Sequence, residues 1–175
     1  MNLSSTIKSI QDIMRKDDGV DGDAQRIGQL TWMLFLKVFD QREEEWEDDN
    51  PAYESPLPQR FRWRNWAAYK ADAEGKKKPQ IQGSELLGFV NNELFPALKE
   101  EIDPSKGPMH QVIKRVFEDA NNYMKSGPLM LSVIEKLEEA INFHDLKTRV
   151  SLGDVYEQVL RSEEHTSELQ SRQYL

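Results

Sequence analysis

Apolar residues recur at helical spacing from the start of the chain. Leu3, Ile7, Ile10, Ile13 and Met14 share one face and predict a first helix, with Ser4 or Ser5 placed to accept from its exposed amides. Lys16 to Gly22 holds two glycines and predicts a turn, after which Asp23 can cap a second helix running to about Glu47. Inside that helix Leu30-Thr-Trp-Met-Leu-Phe-Leu-Lys-Val-Phe39 is apolar on nearly every side, the pattern of a helix surrounded by other helices. Its acidic end, from Glu43 to Asp49, opposes the helix dipole, so fraying is expected near Asn50-Pro51.

Pro51, Pro56 and Pro58 mark an irregular stretch leading into Arg60-Phe-Arg-Trp-Arg-Asn-Trp66, where charged and aromatic residues alternate as in an extended strand or arm. A helix over Trp66 to Ala73 and a polar loop from Glu74 to Pro79 are expected next. Ser84 can cap a helix carrying Leu86, Leu87, Phe89, Val90, Leu94 and Phe95, with Pro96 and then Asp103 to Pro108 as breakers. Pro108 and Pro128 suit the first turns of two more helices, one placing Val112, Ile113, Val116 and Phe117 together, the other Leu131, Ile134, Leu137 and Ile141. Ser151 to Leu160 closes the pattern with Leu152, Val155, Tyr156 and Val159 on one face. The fold class expected is all-α, a multi-helix bundle with one short hairpin or extended arm.

Composition narrows the function classes. A chain of 175 residues can bury one core, and 38% hydrophobic residues with four Trp and seven Phe argue against wholesale disorder. The net charge of -8 argues against a general nucleic-acid coat but leaves room for a local basic contact. With no Cys, disulfides and thiolate metal sites are excluded. No apolar run approaches the roughly 20 residues of a spanning helix, so a soluble, cytoplasmic chain is expected.

Six strings in order resemble one family: Arg15-Lys-Asp-Asp-Gly19, Leu34-Phe-Leu-Lys-Val-Phe39, Arg62-Trp-Arg-Asn-Trp-Ala67, Leu86 to Pro96, Val116 to Gly127, and Leu152-Gly-Asp-Val-Tyr-Glu157. Together they look like the N-terminal domain of type I restriction-modification methylase subunits, over essentially residues 1 to 160. The resemblance implies a helical clamp and assembly domain ahead of a catalytic domain that uses S-adenosylmethionine to methylate adenine at N6 in duplex DNA after flipping the base. It implies as partners a specificity subunit, a restriction subunit, a second methylase subunit and DNA. The sequence departs from the family where catalysis would begin. It has no Pro-Pro pair for an Asn-Pro-Pro-aromatic motif and no G-x-G turn for a nucleotide cofactor, so this stretch alone is expected to be non-catalytic and to hold no cofactor. A free-standing helical protein-interaction adaptor is the alternative reading; an enzyme complete in itself lacks a catalytic constellation.

The candidate site residues are basic. Arg60, Arg62 and Arg64 would share one side of an extended segment, and Lys76, Lys77 and Lys78 would occupy a loop; both clusters are candidate DNA-backbone contacts, against the blander reading of a solvated surface. Trp63 and Trp66 could stack on a base, but core packing is the stronger reading. The carboxylates of Glu43 to Asp49 point in different directions along a helix and read as a solvated acidic end rather than a metal cage. His110 and His144 are isolated, so no metal or acid-base role is assigned. Asn121, Asn122, Gly127 and Pro128 read as turn punctuation.

Arg161 to Ser171 resembles a translated sequencing adapter, and residues 161–175 are set apart as an artefactual tail. Without their two arginines and three glutamates the chain still carries a net charge of -7. Resequencing the genomic locus across the codons for Leu160 and Arg161 should reveal a different continuation; genuine coding sequence through Arg161 would refute the adapter reading.

Overall fold

The computed structural model describes residues 3–140; the expected final helix at residues 151–160 and the tail lie outside them. Helix α1 (Leu3–Arg15) buries Ile7, Ile10 and Met14 along its inner stripe. Helix α2 (Asp23–Asp49) is about 40 Å long at 1.5 Å per residue. Every residue from Trp32 to Asp40 on it is buried, which confirms the apolar run as the central element. A one-turn helix α3 (Trp63–Trp66) and a two-stranded hairpin, β1 (Lys70–Ala71) and β2 (Lys77–Lys78), follow. Helix α4 (Gly83–Phe89) continues through a π-helical turn (Val90–Leu94) into α5 (Phe95–Glu100). Helices α6 (Pro108–Glu118) and α7 (Gly127–Ala140) complete the bundle, with Pro108 and Pro128 in their first turns. Helix α7 packs on α1, α2 and α4, and α6 packs on α5. The fold class is all-α with a small hairpin.

Large rings lock the layers together. Phe117 of α6 meets Phe35 of α2 at 6.1 Å and Phe95 of α5 at 5.7 Å, edge-on in both cases, and Trp32 meets Phe95 edge-on at 4.9 Å. A second cluster joins Trp63, Trp66, Phe89 and Phe61 at 5.3 to 6.0 Å. Edge-on arrangements set the positive rim of one ring against the negative face of another, adding about 0.5–1.5 kcal/mol per pair to their burial. Trp63 and Trp66 are core residues, and Trp66 Nε1 donates to the Phe61 carbonyl at 3.1 Å.

Local expectations fail where tertiary packing or a helix defect intervenes. Arg60 to Trp66 is not a strand: a 3-10 turn at Gln59–Phe61 is followed, after the single extended residue Arg62, by α3, which turns both Trp side chains inward. The helix expected over Trp66 to Ala73 gives way to β1, paired with the lysine segment that was expected to be a loop. Pro96 does not break its helix. The wider π turn before it shifts the hydrogen-bond register upstream of the ring, and the rod continues to Glu100. Neither Asp23 nor Ser84 is a cap; Gly22 and Gln82 hold those positions without side-chain capping bonds, and Asp23 pairs with Arg26.

The irregular stretch between α6 and α7 is held by buried side chains. Asp17, 3% exposed, accepts from the amides of Lys125 and Ser126 at 2.9–3.1 Å as well as from Gly19 at 2.8 Å. Gln29, also buried, accepts from Tyr123 N at 2.8 Å and donates to Asn122 Oδ1 at 2.9 Å. Asn122 in turn donates to Asn91 Oδ1 on the π turn at 2.9 Å, so it links elements rather than merely punctuating a turn. These bonds satisfy backbone donors that no helix or strand serves.

Two close approaches require glycine. A Cβ on Gly19 would stand 2.1 Å from the Tyr123 carbonyl oxygen, and one on Gly127 would stand 1.7 Å from that of Gly83. Gly88 is the opposite case: it sits in α4 with only the Asn92 amide, 4.0 Å from its hypothetical Cβ. Gly88→Ala should therefore raise stability by about 0.5–1 kcal/mol through helix propensity, whereas Gly127→Ala should lower it markedly. Urea denaturation of both variants checks this; a destabilised Gly88→Ala would contradict the open space seen there.

Candidate nucleic-acid interface

The acidic end of α2 is solvated only at its tip, Asp48 and Asp49. Glu43 is fully buried; its Oε2 accepts from the Tyr53 hydroxyl at 2.8 Å, and Arg62 Nε lies 3.5 Å from its Oε1. Arg62, 5% exposed, also pairs with Glu47. Arg64 reaches back to the same helix, with Nε 2.8 Å from Asp40 Oδ1 and Nη1 3.2 Å from Glu47 Oε2, and donates from Nη2 to the Asp40 carbonyl at 3.2 Å. Two arginines from α3 and its leading turn thus neutralise three carboxylates spaced along one helix face.

The electrostatics follow from that packing. Burial pushes the Glu43 carboxyl above its ordinary range, against hydrogen bonds from Ser55 and Tyr53 and the charge of Arg62. For Glu47, burial acts the same way, but hydrogen bonds and charges of Arg62 and Arg64 outweigh it and hold the carboxyl low. Burial and the adjacent Glu43 carboxylate keep the Tyr53 hydroxyl protonated far above neutral pH.

Beside this cluster lies a polar cleft of about 490 Å³ lined by Lys37, Asp40, Glu44, Trp63, Arg64, Lys77, Glu138 and other residues. Lys37, buried on α2, reaches Glu138 Oε1 of α7 at 3.2 Å, and Trp63 Nε1 donates to the same oxygen at 2.5 Å. Glu138 therefore joins α7 to α2 and α3 through one carboxylate.

The sequence candidates separate sharply in the folded chain. Arg62 and Arg64 face inward to carboxylates, while Arg60 is exposed, paired with Glu93, with its guanidinium carbon 5.9 Å from the centroids of both the Phe61 and Phe89 rings. The expectation that the three share one side is thereby corrected: the helical turn of α3 fans them apart. Lys76, Lys77 and Lys78 are all exposed on the hairpin, and Lys78 pairs with Asp72 at 2.9 Å. Lys70, which the sequence reading passed over, stands directly across from Lys78. A lysine six residues upstream of a lysine run is its only sequence trace, and the turn between them had to be recognised first.

S-adenosylmethionine does not fit these surfaces. Its adenine would need an open ring face, and the Trp63 indole in the cleft wall is 2% exposed with its N–H bound to Glu138. Of the remaining lining, Lys37, Arg64, Asp40 and Glu138 are already paired across elements, and it includes no glycine turn for a nucleotide. Among the described residues no group of three or more His, Asp or Glu side chains is arranged to hold a metal ion, and no helix is long and apolar enough to cross a membrane.

A helical bundle tied by buried ion pairs, with a basic hairpin at its surface, is the architecture to be placed among known proteins. Residues 3–137 match the model of the HsdM N-terminal domain, and the chain belongs to that family. It is 54% identical over 162 residues to the methylase subunit of the Escherichia coli type I restriction enzyme EcoEI, covering 92% of this chain and 31% of that protein. A chain from a type I restriction-modification system, solved to explain complex assembly and conformational transition, superposes with a TM-score of 0.68 at 31% identity, covering 91% of this chain and 30% of its own. A modification subunit assigned to a type I restriction enzyme of Vibrio vulnificus gives a TM-score of 0.68 at 27% identity, covering 90% and 34%. The chain thus spans about a third of the length of each of these relatives.

Two substitutions probe the ion cluster. Arg62→Met should cost about 3–5 kcal/mol by leaving buried carboxylates without their cation. Because the folded pKa of Glu43 is raised above its ordinary 4.5, its protonated form favours folding at low pH, and that stability is lost as pH rises toward the folded value. The stability of the parent relative to Glu43→Gln should therefore fall as pH climbs past about 4.5 and level off above the raised value. Urea midpoints taken from acid to neutral pH measure the trend, and a difference that grows in the opposite direction would contradict it.

Proposed function

We propose that this chain is the clamp and assembly domain at the front of a type I DNA adenine-N6 methyltransferase subunit. The observation that carries the reading is the 54% identity to a methylase subunit about three times its length. In the whole subunit, methyl transfer from S-adenosylmethionine to a flipped adenine belongs to the portion beyond this domain, which begins near residue 160. This domain contributes to holding the DNA duplex and to joining the specificity subunit, the restriction subunit and a second methylase subunit, in the cytoplasm. Backbone phosphates approach it at the lysine hairpin; Arg62, buried, and Arg64, half-buried, are held in carboxylate pairs and serve the fold instead.

The test uses labelled S-adenosylmethionine and a duplex carrying the target site. This chain alone should give background transfer. A whole subunit assembled with its specificity subunit should methylate, and removing the domain from that subunit should weaken retention of DNA, with recovery when the domain is supplied in trans. Turnover by this chain alone would overturn the reading, and so would undiminished DNA retention by the truncated complex.

A further inference from the structure

Strand register, rather than sequence order, decides how the lysines of the hairpin are grouped. Lys70 pairs with Lys78 and Ala71 with Lys77 across the antiparallel ladder, and the Asp72 amide extends it by donating to the Lys76 carbonyl at 2.9 Å. Side chains alternate along a strand, so Lys76 and Lys78 share a face with Lys70, while Lys77 projects from the other face with Ala71. The sequence run is split and a distant lysine recruited.

The recruited face carries an electrostatic penalty. Like charges directly opposite one another destabilise a strand pair, and strands of two residues have little pairing to spare. Asp72 relieves part of it: one oxygen takes Lys78 Nζ at 2.9 Å, and the other accepts from the Lys76 and Glu74 amides at 2.9 and 3.0 Å. Among the described residues, the ammonium groups of Lys70 and Lys76 have no carboxylate partner. The other face meets a different field: Lys77 lines the cleft in which the carboxylates of Asp40, Glu44, Glu138 and Glu139 outnumber the other two cations, Lys37 and Arg64.

We propose that the hairpin is a two-faced ribbon whose Lys70, Lys76 and Lys78 face seats backbone phosphates of duplex DNA, while Lys77 answers the acidic cleft and makes no phosphate contact. This rests on the clamp reading and deepens it. An ammonium is a point charge without the fork that reads a base edge, so the contact positions DNA without selecting its sequence. The acidic cleft wall repels phosphate on the Lys77 side and leaves the duplex one approach.

The experiment measures binding of this chain to a duplex DNA across a range of salt concentrations. Each phosphate contact contributes about 0.9 to the slope of log K against log salt. Lys70→Gln and Lys76→Gln should each reduce that slope by about 0.9, Lys78→Gln by less because Asp72 already holds it, and Lys77→Gln should leave it unchanged. Lys70→Gln should also leave the melting temperature equal or higher, as relief of a like-charge pair requires. A loss with Lys77→Gln equal to that with Lys70→Gln would overturn the two-faced assignment. Unchanged slopes in all four variants, with the parent chain still binding, would overturn the ribbon and leave the clamp intact. Absence of salt-dependent binding by the parent chain would count against the clamp reading itself. Variants that lose affinity for poly-glutamate but not for DNA would reassign the surface to an acidic protein.

Discussion

A helix buried on nearly all sides must find partners for the charges and amides it carries into the interior, and α2 carries several. An unpaired charge or amide in that setting costs several kcal/mol, more than most single contacts return. Gln29, Lys37, Asp40 and Glu43 of α2 are all buried. Gln29 is answered by the segment before α7, Lys37 by Glu138 within α7, and Asp40 and Glu43 by Arg64 and Arg62. The neighbours of α2 are thus fixed in rotation as well as in distance. Apolar contact alone would let α3 or α7 slide; a carboxylate that must meet one lysine and one indole N–H does not.

The same constraint explains which features were legible in the sequence. The apolar run of α2, the stripe of α1 and the prolines opening α6 and α7 are local signals, and each lies where the pattern placed it, whereas the α6 stripe narrows to Ile113, Val116 and Phe117 because Val112 is 39% exposed. The acidic end of α2 was legible only as an anomaly, a row of carboxylates at the wrong pole of a helix dipole. Its resolution came from residues 15 to 24 positions away, Arg62 and Arg64, whose inward orientation depends on Trp63 and Trp66 burying the turn between them. No periodicity in residues 60–66 reports that, because the alternation of charge and ring fits a strand equally well. Pro96 misled for a related reason: the rule that proline ends a helix assumes a regular helix upstream, and the π turn removes that premise.

The candidate interface was half legible. The Lys76 to Lys78 run marks itself in the sequence, but its grouping by face does not, since a helix was expected where β1 lies. Residues 66–73 are rich in alanine and favour a helix locally. Two constraints overrode that preference. Gln80 donates to the carbonyls of Arg64 and Ala68 at 3.0 and 2.6 Å, binding the return strand to the end of α3, and Asp72 organises the turn by accepting from Glu74 and Lys76. The turn itself contains Gly75 at a positive φ of 83°. A side-chain clamp at each end of the hairpin achieves what strands of two residues cannot achieve alone.

The two kinds of cation are placed by chemistry rather than by abundance. Arg15, Arg26, Arg42, Arg60, Arg62 and Arg64 each hold a carboxylate of this chain, and Arg62 and Arg64 sit where a planar, delocalised guanidinium can serve two acids at once. Lysine is a compact, strongly hydrated charge that loses more on burial, and the one buried here, Lys37, lies at the cleft against a carboxylate shared with an indole. Lys70 and Lys76 on the hairpin are exposed and keep their water and their rotational freedom. Exchange of that hydration and of loosely held counterions for phosphate is reversible and tunable by salt. On the clamp reading proposed above, a domain of net negative charge gains from such a contact: its acids as a whole repel a duplex while the ribbon attracts it, so the field would orient the DNA before any close contact forms.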